Sequence, residues 1–141
     1  MRPAIIALIL LAAACETGPN NPNTQQLGKD EFSVAYGRDV AVPGTIARLG
    51  FEEVSQESRC PSDVVCVWEG EVTLVLGVTI GDGPTVPQQV TLRGGGSAPV
   101  TIQGVTLTLF RVDPYPVTTQ PHGPEDYVAF FRVGARESTP D

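Results

Sequence analysis

Residues 71–80 read Glu71-Val-Thr-Leu-Val-Leu-Gly-Val-Thr-Ile80. Val72, Leu74, Leu76, Val78 and Ile80 share one side of an extended chain, and Glu71, Thr73, Val75, Gly77 and Thr79 share the other. Side chains alternate across a strand, so a period of two marks a strand with one face turned to a core. A helix would split the same five apolar residues between opposite faces, Val72, Leu76 and Ile80 on one and Leu74 and Val78 on the other. Gly81-Asp-Gly-Pro84 ends the run with turn residues, which lets the chain fold back antiparallel.

The alternation continues in both directions. Upstream, Phe32, Val34 and Tyr36 alternate with Ser33 and Ala35, and Ala47, Leu49 and Phe51 alternate with Arg48 and Gly50. Downstream, Val86, Gln88, Val90 and Leu92 form a strand that Pro87 assigns to a sheet edge, because proline has no N–H for a central ladder. Gly94-Gly-Gly-Ser-Ala-Pro99 reads as a flexible loop, Val100–Ile102 as a short strand, and Gln103-Gly104 as a tight turn into Val105, Leu107 and Leu109. Tyr127, Ala129, Phe131 and Val133 alternate with Val128, Phe130 and Arg132; apolar residues on both sides predict a central strand. No window has helical periodicity, and 15 glycines and 13 prolines in 141 residues fit many turns. The prediction is an all-β fold: one antiparallel β-sandwich, or a partly closed barrel, of seven or eight strands over residues 30–134.

The start reads as an export signal. Met1-Arg2-Pro3 is weakly basic and residues 4–14 are an unbroken apolar run of eleven, about half of the 20 or so that cross a bilayer. Leu11-Ala-Ala-Ala-Cys15 then resembles the lipobox of bacterial lipoproteins, with leucine four residues before the cysteine rather than three. Residues 1–14 are therefore expected to be removed and Cys15 to be acylated, anchoring the chain to a lipid bilayer. Ala12-Ala13-Ala14 also fits the cleavage site of a freely secreted protein. Residues 15–29 are rich in Pro, Asn and Gly and read as a tether; residues 135–141 read as a frayed tail. The expected location is the cell envelope, facing the periplasm or the exterior.

Charge narrows the partners. The chain has 9 basic and 16 acidic residues, net −7, and loss of Arg2 with the signal makes it −8. Lys29 is the single lysine and no basic cluster exists, so a phosphate backbone or an anionic lipid surface would repel the domain. Nucleic-acid binding is not expected.

Three cysteines are an odd number for an exported protein, and acylating Cys15 leaves Cys60 and Cys66 for each other. They lie in Arg59-Cys-Pro-Ser-Asp-Val-Val-Cys-Val-Trp-Glu-Gly70. Five residues separate them, where a thioredoxin-type pair has two, and with His122 they make three ligands where a structural zinc site takes four. The expectation is a structural disulfide, with a labile disulfide or a metal clip as the alternatives. It would pin the link between the Ala47–Phe51 and Val72–Ile80 strands. Trp68 is expected to pack on the bridge as core; the other reading is a rim position as a ligand platform.

The Ser58–Gly70 stretch, the alternating strand after it, Asp113-Pro-Tyr-Pro116 and Glu125-Asp-Tyr-Val-Ala-Phe-Phe-Arg-Val133 resemble a family of small bacterial lipoproteins and secreted proteins of unknown function with an Arg-Cys-Pro-x4-Cys-Val-Trp motif. The resemblance covers most of residues 30–133. It implies a bacterial, exported, single β-domain, and it carries over neither an activity nor a functional residue.

Chemistry is sparse. His122, the single histidine, lies in a proline-rich loop expected to be mobile and wet. No Gly-x-Ser-x-Gly, His-Glu-x-x-His or phosphate loop is present, and Asp113 before Pro114 reads as a turn residue. The carboxylate pairs Glu52/Glu53, Glu69/Glu71 and Glu125/Asp126 read as solvated acids; Glu69 and Glu71 would share a strand face. Asp63 and Asp82 offer oxygens to calcium without a calcium-loop pattern. No catalytic residue, metal or cofactor is therefore assigned. Binding residues concentrate in loops, and Asp113–Pro124, stiffened by four prolines, presents Tyr115 and His122 alongside Trp68 as the candidate surface. The functional expectation is a non-enzymatic binding or envelope-associated domain with an unidentified protein or small-molecule partner. The alternatives are an inhibitor of exported hydrolases or proteases and a small hydrolase.

Overall fold

The computed structural model describes residues 27–134. The signal segment, Cys15, most of the tether and the tail lie outside these residues. Eight strands form: β1 (Glu31–Ala35), β2 (Asp39–Ala41), β3 (Ala47–Glu57), β4 (Glu71–Ile80), β5 (Thr85–Arg93), β6 (Ala98–Ile102), β7 (Val105–Asp113) and β8 (Val128–Val133). The one helical element among the described residues is a 3-10 turn, Pro124–Asp126.

The strands make two four-stranded sheets, β1-β8-β7-β6 and β2-β3-β4-β5, with every pairing antiparallel. The sheets stay separate, so the architecture is the sandwich and not the barrel. Pro87 lies on edge strand β5, and β8, apolar on both sides, is central. Its inward Phe131 stacks on Phe32 at 5.5 Å, and its outward Phe130 lies under the Arg111 guanidinium at 3.8 Å. Cation–π cover of this kind lets an outward aromatic stay dry.

One cluster fills the space between the sheets. Leu49, Phe51, Val72, Leu74 and Leu76 come from one side and Val34, Leu107, Leu109 and Phe131 from the other, all essentially inaccessible. Burying each such side chain contributes about 1.5–3 kcal/mol. Three local expectations change. β3 runs to Glu57, six residues beyond Phe51, because β-bulges near Phe51 and Val54 let it follow β4 to its start. The three-residue β2, which has no alternation long enough to read, pairs with β3. In β4, Ile80 lies past the end of the core and is exposed, while Thr73 is buried on the outer face, where its hydroxyl bonds that of Thr91 at 2.9 Å.

The registers define two ends of the sandwich. At one, Glu57 faces Val72 and Asp113 faces Val128 across their ladders. At the other lie the β4–β5 and β6–β7 turns and the start of β1, where Val133 N donates to Asp30 O and Gly134 N to Thr106 O. The chain thus enters the domain opposite the cysteine segment.

Candidate functional site

The first end is built from two loops, 58–70 and 114–127, joined by a buried arginine. Arg59 follows β3 two residues after Glu57, so their side chains share a face. It is only 5% exposed. Its Nε donates to Glu57 Oε1 at 2.8 Å and its NH2 to Glu57 Oε2 at 2.5 Å. NH1 donates to the Val112 carbonyl at 2.7 Å and NH2 to that of Pro114 at 3.2 Å. The guanidinium also lies 4.9 Å from the centre of the Tyr115 ring. A planar fork with five donors can serve a carboxylate and two carbonyls together; an ammonium cannot match that geometry.

Glu57 passes the network on. Tyr127 Oη donates to Glu57 Oε2 at 3.0 Å, and His122 Nε2 is 2.9 Å from the same hydroxyl. With the phenolic proton directed to Glu57, the histidine is the donor in the second bond, which places its proton on Nε2. Burial, and then the Glu57 charge, push the Tyr127 phenol up to about 12. His122 is therefore half-buried and packed edge-on against Tyr127 at 4.9 Å, not free in a wet loop as expected. The proline-rich segment is tied down by polar groups that the apolar pattern does not reveal.

Cys60 and Cys66 are joined, with Cα atoms 5.9 Å apart. The Cys60 N–H donates to Glu69 O at 2.9 Å, closing the loop at its neck. Gly70 then turns back with φ 69°, and a Cβ there would lie 1.8 Å from Ser58 O. Only glycine fits. Ser62 N–H donates to Pro116 O at 3.0 Å, and Asp63 accepts bonds from the Thr118 N–H and hydroxyl. Those two bonds, the hydroxyl's first, hold the Asp63 carboxyl below its ordinary range.

This frame leaves the loop's apolar side chains outside. Val65 is fully exposed, Val67 98% and Trp68 80%, with Val64 also exposed. The expectation of Trp68 as core is thus overturned. The indole stands at the rim, outside the cluster between the sheets. Tyr115 projects partly beside Arg59, and His122 lies beneath the surface, so the three residues expected at one binding surface divide into two exposed and one supporting. Sequence reasoning missed Arg59, Glu57 and Tyr127. The Glu57-x-Arg59 spacing was the available signal; two of the arginine's three acceptors are backbone carbonyls, which leave no mark in sequence.

The acidic pairs do not gather. Glu71 is bound to Arg93 at 2.8 Å, and Glu69 lies off the strand, its carboxylate beside Gly94. Among the described residues no group of three or more His, Cys, Asp or Glu is placed to hold a metal. Comparison with protein-family models, with curated proteins and with solved structures finds no match to this chain.

Proposed function

We propose that this chain is a lipid-anchored, extracytoplasmic, non-enzymatic binding domain whose disulfide-braced loop is the contact surface for a protein partner. The observation that supports it is where apolar surface is left in water. Of nine large hydrophobic side chains exposed among the described residues, Val64, Val65, Val67, Trp68 and Tyr115 are at this one end. Concentrated apolar exposure marks an interaction site, and a Trp and a Tyr on a pre-ordered frame are suited to act as anchors. The disulfide, the Arg59 fork and the Ser62 and Asp63 bonds fix the loop beforehand, which lowers the entropy lost on binding.

The anchor rests on the Leu11–Cys15 signal and the resemblance of the Arg59–Trp68 motif to bacterial lipoproteins. A tether entering at the far end would point the loop away from its own membrane, toward proteins of the envelope. The braced convex loop also favours a second reading, an inhibitor that fills the cleft of an exported hydrolase. A photoreactive residue replacing Val65 in the native envelope tests both. Discrete protein adducts that Trp68→Ala abolishes are expected, and an adduct to a hydrolase selects the second reading. Adducts only to lipid, or no adducts, contradict both. Mass spectrometry of the mature N-terminus is expected to find acylated Cys15; a free amine on a later residue contradicts the anchor.

A further inference from the structure

The opposite end holds an apolar groove of about 540 Å³ between edge strands β5 and β6. Val78, Ile80, Val86, Ile102 and two prolines line it, with Gln103 and two other uncharged polar residues. Its size is that of a small-molecule site. None of its lining residues is charged, in a chain of net charge −7. Gln103 adopts φ 51°, a left-handed conformation that a glutamine adopts under strain and a glycine would adopt freely. The residue held in this conformation is one of those that line the groove.

We propose that this groove binds the aliphatic chain of a membrane lipid. Two observations select that occupant. A peptide strand is disfavoured, because Pro87 on β5 and Pro99 on β6 interrupt both edges that a visiting strand would pair with. An aliphatic chain needs no backbone partners. Second, the groove lies at the end where the chain enters the domain: Thr101 in its wall pairs with Thr106, whose carbonyl accepts from Gly134 beside β1. Eleven residues separate Cys15 from Leu27, a reach of at most about 40 Å, so an anchored chain keeps this end within that distance of the bilayer. Exposed Ile46, Ile80 and Val86 widen the apolar rim on that side. The choice of a membrane lipid rests on the proposed anchor; the aliphatic specificity rests on the groove.

The test uses the full mature chain with Cys15→Ala, titrated against the fluorescent fatty acid cis-parinaric acid. Saturable one-site enhancement is expected, displaced by a short-chain phospholipid. Val86→Glu, at a half-exposed position, is expected to weaken binding at least tenfold. Thr101→Lys, on the other wall, should do the same and keeps the test open if the first variant disturbs β5. Val67→Glu, at the far end, should leave binding unchanged. No enhancement, or equal binding in all variants, overturns the proposal. Displacement by laurate alone overturns the lipid source in favour of a free fatty acid. A groove that takes the probe in the Cys15→Ala chain and is already filled in the acylated chain overturns it in favour of the protein's own anchor. An unacylated Cys15 overturns the membrane lipid as the occupant, while a saturable titration that Val86→Glu and Thr101→Lys weaken still supports the aliphatic specificity of the groove.

Discussion

Arg59 carries more of the first end than any other single side chain, because its guanidinium serves three acceptors at once. Arg59→Met takes the guanidinium from the Val112 and Pro114 carbonyls and leaves the Glu57 carboxylate without its counter-charge, held by the Tyr127 hydroxyl and the main-chain N–H of residue 59, and is expected to cost about 3–5 kcal/mol in chemical denaturation. Arg59→Lys keeps the charge and loses the fork, so it should fall between that variant and the wild type. Tyr127 gives a second check. Its phenol titrates near 12 in the fold, so the folded state holds a proton that the unfolded chain releases near pH 10. The folded state binds more protons across that window, so stability is fully present below pH 10 and falls as the pH climbs toward 12. Ultraviolet titration of the three tyrosines should show one lagging phase, absent in Tyr127→Phe. At this scale the sequence said least. Cys60 and Cys66 could be paired by spacing and count, but the Glu57-x-Arg59 spacing, which puts the two side chains on one face, does not say that Arg59 turns inward. A lone arginine beside a cysteine has the same local pattern whether it meets water or a pair of carbonyls.

At the scale of elements, the strands were legible wherever one face met the core for five or more residues, as in β4, β7 and β8. They were not legible in β2, where three residues pair without a buried face, or in the second half of β3, where bulges break the period of two. The disulfide in the loop between β3 and β4 was read correctly, and the packing of Trp68 on it as core was not. Apolar content alone put Trp68 inside, while the short covalent ring holds it out. The backbone requirement is sharper. Gly70→Ala adds a methyl to a φ of 69° within 1.8 Å of the Ser58 carbonyl, so the neck must shift, and a loss of about 2–4 kcal/mol is expected. The disulfide closes a small ring, so Cys60→Ser with Cys66→Ser should lower stability by about 2 kcal/mol and leave the far-ultraviolet spectrum that of the same sandwich. Faster amide exchange confined to residues 58–70 would mark the loop as the part released.

For the whole molecule, the two sheets act as a rigid spacer with different chemistry at each end. One end gathers the braced apolar loop over a buried ionic network; the other gathers the chain entry, the two tight turns and an uncharged groove. The alternation of residues 71–80 together with the other strand-like runs was enough to predict an all-β fold of seven or eight strands, sandwich or partly closed barrel, because a one-sided apolar strand face demands a sheet to cover it. Which loops meet at which end depends on strand order, and that order follows from long-range pairings which no local pattern contains. The account depends most on the loop being outward and held there. As the single tryptophan, Trp68 reports on this without interference. The emission of the purified protein under non-reducing conditions should be red-shifted, open to quenching by acrylamide, and little changed on unfolding in guanidinium. A blue-shifted, quencher-protected emission that moves to the red on unfolding would place the indole inside the sandwich and contradict the binding surface.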